Sequence, residues 1–241
     1  MTPASPAPGS KQALEPSQQL VCSSVHVQTA WEALLGHFAG APAPRPPFDF
    51  AEAHCPLFVS FHKASRSGGT WRLRGCIGTL EARPLAGALH DYALTSALRD
   101  RRFPPVEARE LPLLRCTVSL LSAFEAATGW EDWEVGTHGL IIEFLDPHTG
   151  ARRTATFLPE VAAHEGWDRQ QTLDHLIRKA GYSGPAVAVR GSASLRVTRY
   201  QSSTCALTYE EFTKLAAEAE AGSPRTRRLR KQQTLVAVQS S

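Results

Sequence analysis

The chain lacks the signatures of several large enzyme classes. Its 241 residues contain no G-x-x-x-x-G-K-[ST], no G-x-G-x-x-G and no H-E-x-x-H. A G-x-S-x-G nucleophile elbow is also missing. Nucleotide hydrolases, dinucleotide oxidoreductases, zincins and ordinary α/β-hydrolases therefore lose their usual support. Cysteine is scarce, with five residues at Cys22, Cys55, Cys76, Cys116 and Cys205. The number is odd and no C-x-x-C pair occurs, which argues against a disulfide framework or a cysteine-type zinc site. No apolar run is long enough to span a bilayer, so no membrane association is expected. The first ten residues have neither a basic nor an apolar region of the secretory kind. An excess of one charge is missing too: 26 Lys and Arg face 23 Asp and Glu. That balance argues against nucleic acid as a partner of the chain as a whole. Together these absences predict an intracellular, reducing setting, in cytoplasm or nucleus.

What the chain does have is ordinary globular composition, 42% hydrophobic and 20% charged, and one unusual hexapeptide. Residues 73 to 78 read Leu-Arg-Gly-Cys-Ile-Gly and continue from Trp71-Arg72. Apolar and polar residues alternate, the period of a strand. Arg74 and Cys76 share a parity, so a regular strand would set them side by side, flanked by Gly75 and Gly78. A thiol beside a guanidinium has its thiolate favoured. Glycines within a strand often mark close approach of a ligand or of another backbone. Arg74, Cys76, Gly75 and Gly78 are therefore candidate site residues. Cys116 alternates with Val118 and Leu120 on an apolar face and reads as core.

The organisation is a pattern stated twice. A Pro-, Ala- and Ser-rich tail over 1–20 precedes a helix carrying Val27, Trp31, Leu34, Leu35 and Phe38. A Pro-rich connector covers 41–47. Then come strands at 57–62 and 71–80, a helix over 84–100 and a strand over 115–121. A second unit has strands at 139–145 and 152–158, a helix over 169–180 and a strand over 194–200. Hairpins imply antiparallel pairing. One helix per unit implies an α+β fold of two packed subdomains, each a hairpin, a helix and a closing strand. Thr208 and Glu211 form a capping box for a last helix. A basic tail over 222–241 carries Arg225, Arg227, Arg228, Arg230 and Lys231. It reads as a solvated, disordered end, with a nuclear-import or nucleic-acid-binding patch as the sharper alternative.

Three further residues are candidates. His138 lies between glycines at the mouth of a strand, where functional side chains collect. It could move a proton or ligate a metal, or simply bond the backbone of its turn. Glu160 follows Pro159, and an acidic residue in the first turn of a helix suits its dipole. A catalytic carboxylate is the sharper alternative. Arg102, near a helix C-terminus, could complement the dipole or close an anion clamp with Arg74. His62, His148 and His164 read as exposed strand-end, turn and helix residues.

Several of these stretches carry a family resemblance. Leu73–Gly78, Tyr92-Ala-Leu-Thr-Ser-Ala97, Asp100-Arg-Arg-Phe-Pro-Pro105, Asp132–Gly139, Thr154–Ala162 and Lys179-Ala-Gly-Tyr182 resemble the AMMECR family, named from the Alport syndrome, midface hypoplasia and elliptocytosis candidate region. The likeness covers roughly 21–213. It implies an intracellular α+β domain with the motif residues near a cleft between two subdomains. It also implies relatives in bacteria and archaea linked to Memo-type and radical-SAM proteins, so a Memo-type partner is one expectation. It transfers no reaction and no known cofactor. Phe157 stands where close relatives tend to have tyrosine. Two functions remain open at this point. In one, the cleft binds an anionic small molecule or a protein partner through Arg74, Gly75, Gly78 and Arg102. In the other, a thiol-dependent enzyme or modification factor uses Cys76 with His138 and Glu160. A metal held by the last three residues lies between the two.

Overall fold

The computed structural model describes residues 20–40, 53–65 and 69–222. The tails expected over 1–20 and 222–241, and the 41–47 connector, lie outside the described residues apart from Leu20 and Gly222. Helix α1 (Ser24–Ala39) leads into strands β1 (His54–Ala64) and β2 (Trp71–Pro84), then α2 (Leu85–Leu98) and a 3₁₀ turn (Ala108–Leu113). Strands β3 (Leu114–Ala126), β4 (Gly139–Leu145) and β5 (Arg152–Phe157) follow. Helices α3 (Pro159–Glu165), α4 (Arg169–Lys179) and α5 (Ala186–Arg190), strand β6 (Arg196–Thr208) and α6 (Tyr209–Gly222) complete the chain. Among the described residues no helix is long and apolar enough to cross a membrane.

The fold is α+β, and its strands pair antiparallel in one six-stranded sheet ordered β2-β1-β3-β6-β4-β5. The doubled pattern of the sequence survives in this order. In each half the closing strand returns beside the first strand of its hairpin, β3 beside β1 and β6 beside β4. The two closing strands then pair with one another and join the halves. That is why β3 and β6 run to 13 residues each, well beyond the span their apolar alternation suggested.

Alternation sorts the side chains of the first half. Leu57, Val59 and Phe61 of β1 are fully buried against the layer that holds α1 and α2. Trp31 of α1 anchors that layer, meeting Phe61 edge-on at 5.7 Å and Phe212 of α6 in a stack at 5.9 Å. Its indole N–H donates to the Leu207 carbonyl at 3.1 Å, so the largest buried ring leaves no donor unmet. Leu140, Ile142 and Phe144 of β4 form the second core with Leu173, Leu176 and Ile177 of α4.

A third, thin cluster decides where a site can form. Leu121, Leu158 and Tyr200 are buried together, with Phe58 and Leu80 from the first half and Ile141 and Val161 from the second packed on them. These residues bring β2 and the chain following β5 together, although those strands are the two edges of the sheet. The sheet must curl to allow this. A bulge interrupts the β3–β6 ladder between Ser122 and Glu125, with Ala123 at φ 51°, and bulges increase local twist and bend.

Candidate functional site

The face enclosed by the curl carries Cys76. Ser60, opposite it across the β1–β2 ladder, donates its hydroxyl proton to the Cys76 sulfur at 3.0 Å. The backbone of Cys76 is clamped on both sides. Its N–H donates to Asp100 Oδ2 at 2.9 Å, and its carbonyl accepts from Arg102 Nη2 at 2.9 Å. Arg102 also holds Asp100 through Nε at 2.9 Å and Nη2 at 2.6 Å. That pairing keeps the buried Asp100 carboxyl low, at about 2. The turn after α2 thus fixes the Cys76 peptide.

Burial pushes the Cys76 thiol up, and it outweighs the Ser60 hydrogen bond and the nearby positive charges of Arg102 and Lys179; the Glu160 carboxylate pushes the same way as burial. The resting group is therefore the thiol and not the thiolate. Glu160 and Lys179 come from the second half, at the start of α3 and the end of α4. Burial raises the Glu160 carboxyl and lowers the Lys179 ammonium. Solvent still reaches both residues, so neighbouring protein crowds them without covering them. Lys179 Nζ donates to the Thr156 carbonyl at 2.8 Å and stands 4.7 Å from the Phe157 ring. Tyr200 lies beneath, its hydroxyl donating to the Phe157 carbonyl at 3.0 Å and sharing a hydrogen bond with Thr156 Oγ1. Phe157, without a hydroxyl of its own, is a wall for the lysine.

Other candidate residues stand elsewhere. Arg74 does not lie beside Cys76. The ladder skips one residue of β2 between Gly75, opposite Phe61, and Leu73, opposite His62. This bulge at Arg74 resets the alternation and turns the guanidinium to the opposite side. There it grips Glu110 through Nε at 3.2 Å and Nη2 at 2.9 Å, and it donates to the carbonyls of Pro104 and Pro105. The Arg74–Arg102 anion clamp does not form, because each guanidinium is held by its own carboxylate. Gly75 and Gly78 each meet another backbone where a side chain would stand. A Cβ on Gly75 would stand 2.0 Å from the Ser96 carbonyl oxygen, and one on Gly78 would stand 2.2 Å from that of Leu57. They are glycines so that α2 and β1 can approach.

His138 bonds the backbone of its turn through one ring nitrogen and its main chain. Its Nδ1 accepts the Glu134 N–H at 3.1 Å, and its own N–H donates to the Glu134 carbonyl at 3.0 Å. The charged groups acting most strongly on Cys76 are Arg102, Glu160 and Lys179. Among the described residues no three His, Cys, Asp or Glu side chains gather as metal ligands would, so Cys76, His138 and Glu160 are not assembled into one. His62 also departs from expectation. It is half-buried on the Cys76 face and held near 4 by that burial, with Arg115 and His164 adding to the effect. Lys179, Ser60 and Tyr200 carry no local sign of this site; Lys179 reads as a helix C-terminal cation. A broad hollow of about 540 Å³ lined by Trp130, Glu134, Asp168 and Arg169 lies apart and holds none of these groups.

The AMMECR1 family profile matches residues 27–205. An uncharacterised protein of Arabidopsis thaliana is 54% identical over 183 residues, 76% of this chain and 83% of that one. An uncharacterised protein of Schizosaccharomyces pombe is 46% identical over 65% of this chain and 77% of its own. Among solved structures, an uncharacterised protein of Pyrococcus horikoshii superposes with a TM-score of 0.64 at 26% identity, covering 76% of this chain and 89% of that one.

Proposed function

The chain belongs to the AMMECR1 family, and on that premise we propose that the curled face around Cys76 binds an anionic ligand between the two halves, a small molecule or part of a protein partner. The observation that carries this reading is the convergence of Cys76 from one half with Glu160 and Lys179 from the other, beside Arg102. Arg102 is already paired with Asp100, so Lys179 is the cation left for a ligand, and burial opposes ionisation of the Glu160 carboxyl from the second half. Crowding weakens the Lys179 ammonium, and an arriving anion would restore it, which makes binding favourable at that atom. A Memo-type protein, suggested by the family likeness, is the partner to test first, and an intracellular compartment is the setting of this reading.

The second reading, a thiol-dependent enzyme or modification factor, draws on Glu160. A carboxyl raised by burial beside a thiol is a stronger base than an ordinary carboxylate. His138 is not among the groups that act on Cys76, so this version runs on Cys76 and Glu160.

One experiment addresses both. Alkylation of Cys76 by iodoacetamide is followed by peptide mapping, with and without inorganic phosphate, dicarboxylates or acidic peptides. A ligand on this face slows the wild type and protects Lys179→Met at least tenfold less well, the effect of one charge-assisted hydrogen bond at about 1.5 kcal/mol. Equal protection of both proteins, or none by any anion, overturns the binding reading. Run over a pH series, the same reaction tests the thiol. Alkylation no faster than free cysteine near neutral pH removes the nucleophile role.

A further inference from the structure

We infer that the curled face holds a second site, a phosphoryl-binding subsite built from His62, Arg115 and His164, which anchors one end of the ligand proposed above. Its link to Cys76 rests on that reading; its affinity for phosphate does not.

His62 and Arg115 are direct partners across the β1–β3 ladder. They share the face of Ser60 and Cys76, because His62 is two residues beyond Ser60 on β1. Both are half-buried, so part of each side chain reaches solvent. Each also keeps a polar atom with no partner: His62 Nδ1 and Arg115 Nε make no hydrogen bond. A buried polar atom left unmet costs about 1–3 kcal/mol. The two atoms belong to one ladder pair whose side chains also reach solvent, so an outside partner drawn to this pair would repay that cost.

The surroundings point to an anion. The Arg115 guanidinium lies over the Trp71 ring, 4.8 Å from its centroid. Stacking holds the cation by its flat side, which leaves the terminal Nη atoms as the donors for a ligand. Glu211 is the acidic group that acts on Arg115. Its carboxylate, however, already accepts the Thr208 N–H at 2.8 Å and hydroxyl at 2.9 Å. His164, on exposed α3, acts on His62 from the other half. A guanidinium fork whose ladder partner is an imidazole, with the charge of a second imidazole acting on the first, suits a group with three terminal oxygens better than a carboxylate with two. Two residues of extended strand place His62 about 7 Å from Ser60, the partner of the Cys76 sulfur. The ligand is then a small phosphorylated molecule whose phosphoryl group sits on Arg115 and whose other end reaches Cys76 and Lys179.

The test is a titration of the wild-type protein with inorganic phosphate and, separately, with acetate, following the imidazole C–H resonances of His62 and His164 by NMR. Phosphate is expected to shift both, and to bind at least tenfold tighter than acetate. Arg115→Gln should weaken phosphate about tenfold or more, the worth of a charge-assisted hydrogen bond. His164→Ala, exposed and safe for folding, should weaken it about threefold. Equal affinity for acetate overturns the phosphoryl assignment. No shift at either histidine, or unchanged affinity in both variants, overturns the subsite. Lys179→Met separates the two proposals, since it should leave the phosphate shifts intact while removing protection of Cys76. Phosphate shifts without any protection would sink the Cys76 reading and keep this one.

Discussion

At the scale of the residue, the glycines of Leu73–Gly78 are the clearest case of one side chain, or its absence, setting the geometry. Gly75 lets the Ser96 turn of α2 press on β2, and the Ser96 hydroxyl then accepts the Ile77 N–H at 2.8 Å. Gly75→Ala places a methyl carbon 2.0 Å from a backbone oxygen. It should destabilise the protein by about 3 kcal/mol or more, at the upper end of overpacking costs. Gly87, within α2, has nothing within 4 Å of its would-be Cβ, so Gly87→Ala should be neutral or stabilising by up to about 1 kcal/mol. Urea denaturation of the two variants checks the pair, and equal effects would refute the packing argument. The motif was legible in the sequence, as was the candidacy of Cys76. Whether its glycines faced a ligand or another backbone was not, because strand parity says nothing of what stands opposite.

At the scale of the element, the bulge in β2 matters most. Arg74 leaves the alternation and joins Lys63 and Glu110 in a half-buried charge group, with Nζ of Lys63 at 2.7 Å and Nη2 of Arg74 at 2.9 Å from the carboxylate. Arg74→Met removes one cation and leaves Glu110 with Lys63 alone. The expected loss is about 3 kcal/mol, as for breaking a buried pair, read from the denaturant midpoint. The phosphate response of His62 should be unchanged. A variant of wild-type stability, or one that loses the phosphate response, would contradict a purely structural Arg74. The strands and long helices themselves were readable from period and capping. The Thr208–Glu211 box forms as written, with Glu211 N–H donating to Thr208 Oγ1 at 3.2 Å. The bulge was not readable, since one skipped residue leaves no mark on an alternating sequence. The short helices α3 and α5, of 7 and 5 residues, span too few turns to show a period.

At the scale of the whole molecule, two carboxylates tie the first half together, Glu110 under Arg74 and Asp100 under Arg102. Burial works against ionisation of Glu110, yet Arg74 and Lys63 hold it at about 2; Arg102 holds Asp100 at about 2. Both folded values lie below the ordinary range near 4. Their stabilisation is therefore complete above about pH 4.5 and disappears as pH falls toward 2, by about 2 kcal/mol for each group. Urea midpoints at pH 6, 4, 3 and 2.5 should trace that decline, and Glu110→Gln should flatten it. A wild-type curve level down to pH 2.5 would dismiss the linkage. The amino-acid sequence alone determined the α+β class, the doubled order of strands and helices, and the candidacy of Leu73–Gly78. These follow from local periodicity, capping and turn chemistry, which neighbours in the chain impose on one another. Only the tertiary structure decided which of the candidate residues come together. Cys76 lies on β2 at one edge of the sheet, while Glu160 and Lys179 follow β5 at the other. They meet because β3 pairs with β6 and the joined sheet curls, and that closure depends on long-range packing around Leu121, Leu158 and Tyr200, which no local pattern records.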